Sequence, residues 1–177
     1  MSDSTLYPDK TTTFVVYLNG GSNILGVATV DLPDVQFMRS SLSGAGLGGE
    51  LETPVLGHTQ SVELTLNWTT VNSNVFLSLE NNGNEIVCRS AQQYLNLSDS
   101  KIEVKPVIIT AKGMPKGASL GSFELGAQTG GSTTFEVTYL TIQVGDETTL
   151  NMDKLNNVFE INGEDQLADV ASALGLS

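Results

Sequence analysis

The 177-residue sequence has few of the residue types on which catalytic and metal sites depend. Its only cysteine is Cys88, which excludes an intramolecular disulfide, and we expect this thiol to be a small buried residue in a strand. Its only histidine is His58, and these two side chains alone cannot assemble a zinc site. A Cys–His catalytic pair has no support in the surrounding residues, so we predict no enzymatic activity, no metal and no cofactor.

Basic residues are also scarce, with 8 Lys and Arg against 20 Asp and Glu and a formal net charge of −12. Proteins grip nucleic acid largely through Lys and Arg that displace counterions from phosphates, so this composition argues against such binding. No apolar run approaches the roughly 20 residues of a membrane helix, and the N-terminus lacks a basic and then apolar signal segment. We therefore expect a protein without a membrane anchor that is made in the cytoplasm.

What the sequence does contain is a glycine-rich segment joined to a strongly alternating one. SGAGLGG at residues 43–49 surrounds Leu47 with small residues, and ordering so much glycine is costly in chain entropy. Such a run is usually a mobile arm unless a partner fixes it. The next segment, Ser61–Thr70, alternates with Val62, Leu64, Leu66 and Trp68 on one face, which predicts a half-buried strand. An arm joined to such a strand indicates contact with a neighbouring subunit.

The rest of the chain reads as strands separated by turns. Residues 1–12 are predicted to be a loose lead-in, Asn19-Gly20-Gly21 to join strands 13–18 and 24–31 in a hairpin, and Pro106 to mark an edge position or bulge. Residues 112–121 are predicted to be a loop, and Asn72 or Asn74 to cap a short helix. A C-terminal helix is predicted from Gly163, with Glu164 and Asp165 in its first turn and Gly175 at its end. The other predicted strands are 35–41, 85–95, 101–111, 132–144, 147–152 and 158–161.

These elements predict one domain over residues 1–177. Its fold class is mainly β, a β-sandwich or strongly curved, split β-barrel with one or two short helices that include the C-terminal one. A monomeric β-sandwich that binds a ligand, such as a carbohydrate, is the alternative. That function needs exposed aromatic side chains in a groove, whereas Trp68 is predicted to face the core.

Four segments together resemble the major tail tube proteins of contractile-tailed phages and phage-tail-like (R-type) bacteriocins. They are FVVYLNGGSNILGVATVDLPD, SGAGLGGELETPVLGH, VELTLNW and LNMDKLNNVFEINGEDQLADVASALGL. The last is the most specific, because a strand, an ING turn, an acidic pair and a short C-terminal helix follow in that order. The loop PKGASLGSFELG and the strand EVTYLTIQV fit the resemblance as well, so that it covers nearly the whole chain.

The resemblance implies a split barrel related to the tube proteins of type VI secretion. Six copies are expected to form a ring, and rings to stack into a hollow tube through which DNA (phage) or ions (bacteriocin) pass. The implied partners are further copies, the tail sheath protein, baseplate and tail terminator proteins, and a tape measure protein in the lumen. The protein is expected in the virion tail or bacteriocin particle, assembled in the bacterial cytoplasm, with DNA only as passing cargo.

Two sets of site residues are expected. The inter-subunit arm, at about residues 40–59, is expected to reach an adjacent ring through Ser43, Gly44, Gly46, Leu47, Gly48, Gly49, Glu50, Leu51, Pro54 and Leu56. Polar strand faces are expected to line the lumen, where acids repel DNA phosphate. The candidates are Glu63, Thr65, Asn67, Glu103, Thr134, Glu136 and Thr138. Lys101 and Lys105 share the polar face of Glu103, so the wall at that strand is expected to be mixed in charge.

Overall fold

The computed structural model describes residues 5–21, 24–81 and 83–175 of the chain. Within them the protein is mainly β, as predicted, with two short helices. The strands are β1 (Leu6–Leu18), β2 (Val27–Asp31), β3 (Phe37–Leu42), β4 (Leu51–Thr59), β5 (Glu63–Trp68), β6 (Asn84–Asn96), β7 (Ile102–Ser119), β8 (Gly131–Val144), β9 (Glu147–Asp153), β10 (Val158–Ile161) and β11 (Glu164–Asp165). The helices are α1 (Ser73–Leu77) and α2 (Ala168–Ala173).

Nine strands form one antiparallel sheet, and β3 and β4 form a separate two-stranded sheet. The main sheet runs in the order β1-β6-β7-β8-β9-β10-β11, and it branches because the first half of β8 pairs with β5, which in turn pairs with β2. Buried side chains from β1, β5, β6, β7, β8, β9 and β10 form one core cluster. The sheet must therefore curl around that core, which gives the expected split barrel.

The predicted alternation of β5 is confirmed. Val62, Leu64, Leu66 and Trp68 are each at most 1% exposed, and their neighbours on the other face are not buried. The indole Nε1–H of Trp68 donates a 2.9 Å hydrogen bond to the Thr133 hydroxyl, which also accepts one from Ser78. The polar atom of the largest core side chain is thus satisfied inside the barrel.

The predicted hairpin between the first two strands is wrong. The chain does turn at Asn19 and Gly20, which both have positive φ, and the Ile24 N–H donates to the Val16 carbonyl. Beyond that bond β2 pairs with β5, and β1 pairs with β6. A cleft of about 740 Å³ therefore separates β1 from residues 24–32, and its lining includes Cys88. Asn19 and Gly20 specify a turn through their own backbone conformation. They do not determine which strands pair, because that depends on how the whole barrel closes.

Two predicted loops are strands. Of residues 1–12, those from Leu6 onward extend β1 against β6, and residues 1–4 lie outside the described part. Residues 112–119 extend β7, although they contain two glycines and a proline, because they pair with β8 across two bulges. The predicted edge position of Pro106 holds on one side of β7 only, because Pro106 pairs with Ala91 of β6, whereas pairing with β8 begins at Val107.

The C-terminal helix begins later than predicted. Glu164 and Asp165 pair with β10 as the short strand β11, so they are not in the first turn of a helix. The Asp165 carboxylate accepts a hydrogen bond from the Leu167 N–H, and α2 starts at the next residue. Gly175, with φ of +69°, follows its end as predicted. The cap predicted for α1 is confirmed, because the Asn72 side chain accepts from the Asn74 N–H.

Candidate assembly surfaces

The glycine-rich arm is the tip of a β-hairpin made of β3 and β4. Ser43–Glu50 connect the two strands, and Gly46 turns with φ of +99°. The strands pair in the register Leu42↔Leu51, Ser41↔Glu52 and Ser40↔Thr53, with an irregular stretch toward the root. Of the predicted arm residues, the tip holds Ser43, Gly44, Gly46, Leu47, Gly48, Gly49 and Glu50, and β4 holds Leu51, Pro54 and Leu56. The sequence missed the hairpin because β4 contains Pro54 and Gly57 and its apolar residues do not alternate regularly.

The hairpin has one apolar and one charged face. Residues that lie opposite each other on antiparallel strands share a face. The more apolar face carries Leu42 opposite Leu51 and, two residues on, the polar pair Ser40 and Thr53. Strand alternation assigns Met38 and Val55 to this face as well, and the four apolar side chains are 38–51% exposed. On the other face, Arg39 lies 3.6 Å from Glu52, and the Ser41 hydroxyl donates to the Glu50 carboxylate. An exposed apolar face on a projecting hairpin is typical of a surface that a partner covers.

The root of the hairpin is attached to the barrel. The rings of Phe37 and Phe159 meet edge to face with centroids 5.6 Å apart, and the Thr59 hydroxyl contacts the Met152 sulfur at 3.8 Å. Gly57, with φ of +70°, lies so close to Leu167 that a Cβ there would overlap the leucine side chain. The hairpin therefore leaves the barrel at a fixed position, next to the C-terminal segment.

Six of the seven predicted lumen residues lie on one face of the β5–β8 ladder. Glu63 is opposite Glu136, and Thr65 is opposite Thr134 with their hydroxyls 3.1 Å apart. The remaining two members of this polar face are Asn67 and Thr138. Glu103 is not with them, because its position in β7 alternates in step with the buried Val107 and Ile109 and so lies on the opposite face of the sheet. The seven residues do not form a single wall.

The two carboxylates on this polar face are paired with lysines. Lys116 of β7 donates to Glu63 and lies 3.6 Å from Glu136, and Lys154 lies 3.7 Å from Glu136. The Ser61 hydroxyl also donates to Glu136 at 2.6 Å. The local wall is therefore balanced, with two acids and two bases. The sequence did not reveal this balance, because residue 116 was predicted to lie in a loop.

The surroundings change the pKa of both central groups. Partial burial alone raises the pKa of Glu136, but the Ser61 hydrogen bond, the charges of Lys154 and Lys116 and the Val62 N–H outweigh it, so the pKa is lowered. The hydrogen bond to Glu63 is the largest cause of a raised pKa at Lys116. Each shift favours the charged form, so Glu136 and Lys116 are both charged near neutral pH.

Two exposed apolar surfaces were not predicted. The first lies on β1, β6 and β7, where Tyr7 is opposite Leu95 and Leu95 is opposite Ile102, with Val104 on the same face. The second is the loop between β7 and β8, where Phe123 is 93% and Leu125 104% exposed. The sequence signal for the loop was two large apolar residues within a polar segment. Both surfaces are candidates for contact with another chain.

Cys88 and His58 lie on different strands, β6 and β4. Cys88 is 6% exposed, and burial raises the pKa of its thiol to about 11, which keeps it protonated at neutral pH. His58 is exposed in β4. Among residues 5–21, 24–81 and 83–175 there is no group of three or more His, Cys, Asp or Glu side chains placed to hold a metal ion. Neither described helix is long and apolar enough to cross a membrane.

The described residues form a curved β-barrel with a projecting amphipathic hairpin and exposed apolar patches. The family model of phage tail tube protein FII matches residues 8–175. The chain therefore belongs to this family, and its role is that of a structural tail tube protein in a tail particle. No curated protein matches the sequence significantly.

Solved structures show the same fold at low identity. A chain of the anti-feeding prophage cap, a tube-terminating cap, is 16% identical with a TM-score of 0.55, over 78% of this chain and 93% of that one. A chain of the PVC sheath/tube terminator in the extended state is 16% identical with a TM-score of 0.53, over 77% and 97%. A chain of the PVC sheath–tube complex is 17% identical with a TM-score of 0.52, over 77% and 92%. The resemblance stated from sequence is thereby confirmed.

Proposed function

We propose that this protein forms hexameric rings that stack into the hollow inner tube of a contractile injection particle, through which DNA or ions pass. The observation that carries the proposal is the projecting hairpin, whose apolar face is exposed on a chain of the tail tube family. Ordering the glycine-rich tip costs chain entropy, and contact with a neighbouring copy offsets that cost. The hairpin is the inter-subunit arm expected from the sequence.

In this proposal the polar face of β5 and β8 lines the lumen. Glu63, Thr65, Asn67, Thr134, Glu136 and Thr138 present hydroxyl, amide and ion-paired groups. A surface of this kind offers no excess of positive charge to phosphate, so passing DNA is not retained. Glu103 is left out, since it lies on the other face of the sheet.

The other partners belong to the same proposal. The PVC and anti-feeding prophage structures contain sheath, tube and terminator or cap components. We infer that this tube is likewise surrounded by a sheath protein and ended by a terminator, grows from a baseplate, and encloses a tape measure protein. Assembly takes place in the bacterial cytoplasm.

One observation favours the alternative of a monomeric ligand-binding module. The cleft between β1 and residues 24–32 has a volume in the range of small-molecule sites. Trp68 argues against it, because the one tryptophan is 1% exposed and cannot stack on a ligand. A ligand that raises the melting temperature of the monomer would favour this alternative.

The test is electron microscopy of the purified protein at high concentration, compared with a short-arm variant. In that variant residues 41–52 are replaced by Asn-Gly, a two-residue turn that closes the existing Ser40↔Thr53 pair. We expect hollow rods with six-fold end views from the parent, and a folded protein without rods from the variant. A parent that stays monomeric, together with a variant that still supports particle assembly in the producing cell, would contradict the proposal.

A further inference from the structure

The loop between β7 and β8 holds two large apolar side chains in water. Phe123 and Leu125 are 93% and 104% exposed. The loop is nevertheless well defined, because the Ser122 N–H donates to the Thr129 carbonyl at 3.0 Å. Gly121, with φ of +75°, is packed against the carbonyls of residues 129 and 130, where a Cβ would not fit. Hydrogen bonds and glycine conformation hold the loop, so burial of its apolar side chains is not what shapes it.

Further apolar side chains surround this loop at the same end of the barrel. The loop is joined to the segment after β5 by the hydroxyls of Thr70 and Thr129, 3.0 Å apart. That segment leads into α1, where Asn74 donates to the Leu25 carbonyl. We use the name apolar end for the exposed apolar side chains at this end of the barrel: Leu25, Phe76, Leu77, Phe123 and Leu125. Each of them is 47–104% exposed.

The apolar end and the arm lie at opposite ends of β5. The arm root precedes Glu63, and α1 and the β7–β8 loop adjoin Trp68 and its partner Gly131. The strand has six residues, which span about 20 Å. The two surfaces therefore cannot meet within one subunit without crossing the barrel, but they can meet between subunits that stack end to end.

We propose that the apolar end is the docking site for the arm of a second copy in the adjacent ring. This inference rests on the proposed function and names the receptor that the arm requires. Such a contact is heterologous, because different patches of the same chain meet, and repeating it produces an open-ended stack. The arm contributes the apolar face defined above, together with Leu47 at its tip.

The chemistry and the area of the two surfaces agree. The side chains that define the apolar end and those of the apolar face of the arm are uncharged, and the Glu124 side chain, between Phe123 and Leu125 in the sequence, is exposed. An aromatic side chain such as Phe123 buries roughly 150–250 Å². With four further large apolar side chains the apolar end reaches several hundred Å², the size that marks an interaction site and a large part of the ~800 Å² per partner in a stable interface.

The test is disulfide cross-linking between two separately purified single-site variants. Gly48→Cys places a thiol at the arm tip, where a Cβ meets nothing within 4 Å, and Glu124→Cys places one between Phe123 and Leu125. Asp146→Cys, exposed in the turn between β8 and β9 at the end of β8 away from Gly131, is the matched control. The native Cys88 is buried, and parent protein oxidised alone measures its background.

Mixtures are oxidised at rod-forming concentration, run on a non-reducing gel and imaged. We expect the Gly48→Cys and Glu124→Cys proteins to form a heterodimer at least about tenfold more abundantly than the Gly48→Cys and Asp146→Cys proteins. Rods without that excess, or a stronger cross-link to Asp146→Cys, would overturn the docking site and leave the tube function intact. Absence of both rods and cross-link from every mixture would overturn both, and a cross-link without rods would support the contact alone.

A second variant separates docking from folding. Phe123→Asp with Leu125→Asp changes side chains that the folded monomer leaves in water, so we expect an unchanged melting temperature and at least a tenfold rise in the concentration needed for rods. Rod formation at the parent concentration would contradict the inference.

Discussion

Glu63 and Glu136 lie directly opposite each other on β5 and β8, an arrangement in which two carboxylates repel. Lys116 from the third strand, β7, contacts both of them. The repulsion across one ladder is therefore relieved by a base that only the continuation of β7 brings into place. We therefore expect the loss of Lys116 to lower the stability of the protein more than the loss of a lysine from an exposed pair with one acid.

Replacing Lys116 with methionine tests that dependence. The variant leaves the opposed carboxylates with Lys154 alone, so we expect the melting temperature to fall by about 2–4 °C. Lys101→Met is the matched control, since Lys101 pairs with the single acid Asp99 at an exposed site, and we expect it to have a smaller effect. Adding Glu63→Gln to Lys116→Met should restore most of the loss. Equal effects of the two lysine variants would argue against a special role for Lys116.

The acid side of the stability profile follows from Glu136. Its folded pKa lies below the ordinary value of 4.5, so its contribution to stability is present above that value and is lost as the pH falls through the lowered pKa. Urea unfolding between pH 6 and 3 should show a loss of stability that begins near pH 4.5 and is reduced in Glu136→Gln. A variant that loses stability as steeply as the parent would show that other carboxylates carry the effect.

The sequence predicted those parts of the fold whose signals are local. Alternation identified β5, Asn72 or Asn74 was predicted to cap α1 and Asn72 does so, and Gly175 identified the end of α2. The sequence-based prediction failed where the structure of a segment depends on its pairing with a distant strand. Residues 112–119 have the composition of a loop, yet they form a strand because they pair with β8.

The same limit applies to the candidate site. Glu63 and Glu136 were chosen as polar strand residues, but their opposition and their lysines depend on which strands become neighbours. Glu103 was predicted to lie with them because the sequence shows that a strand residue is polar, but it does not show which face of the folded sheet that residue occupies. The apolar face of the arm requires the β3–β4 register, and one sequence does not contain that information in a recognisable form.

Trp68→Ala should cost about 3–5 kcal/mol of unfolding free energy, because it removes a fully buried side chain and leaves a cavity. Trp68→Phe keeps more of the volume but deprives the buried Thr133 hydroxyl of its indole donor, so we expect an intermediate loss. Denaturant unfolding of the parent, Trp68→Phe and Trp68→Ala proteins gives the order of their unfolding free energies. An alanine variant within 1 kcal/mol of the parent would show that Trp68 does not anchor the core.

Cys88 should determine how the stability of the protein changes at alkaline pH. Its folded pKa of about 11 lies above the ordinary value of 9.0, so its contribution is complete below pH 9 and is lost as the pH rises toward 11, by about 1.4 kcal/mol per unit. The measurement is the difference in unfolding free energy between parent and Cys88→Ala from pH 8 to 11. In parallel, a thiol reagent should modify native protein far more slowly than unfolded protein. A difference that does not change with pH would mean that the thiol ionises freely in the fold.

Leu47→Asp tests the arm by changing one side chain at its tip. Leu47 is 43% exposed, and its N–H bonds within the tip to the Gly44 carbonyl, so we expect the monomer to keep its melting temperature. Burial of a leucine against a partner contributes about 1.5–3 kcal/mol, so its loss should raise the concentration needed for rods by about tenfold or more. The readouts are pelleting and negative-stain images over a concentration series, with Leu47→Met as the control that keeps an apolar tip. Because the substitution leaves the barrel untouched, a variant that forms rods at the parent concentration would mean that the tip does not bind the next subunit, and stacking must then depend on other surfaces of the chain.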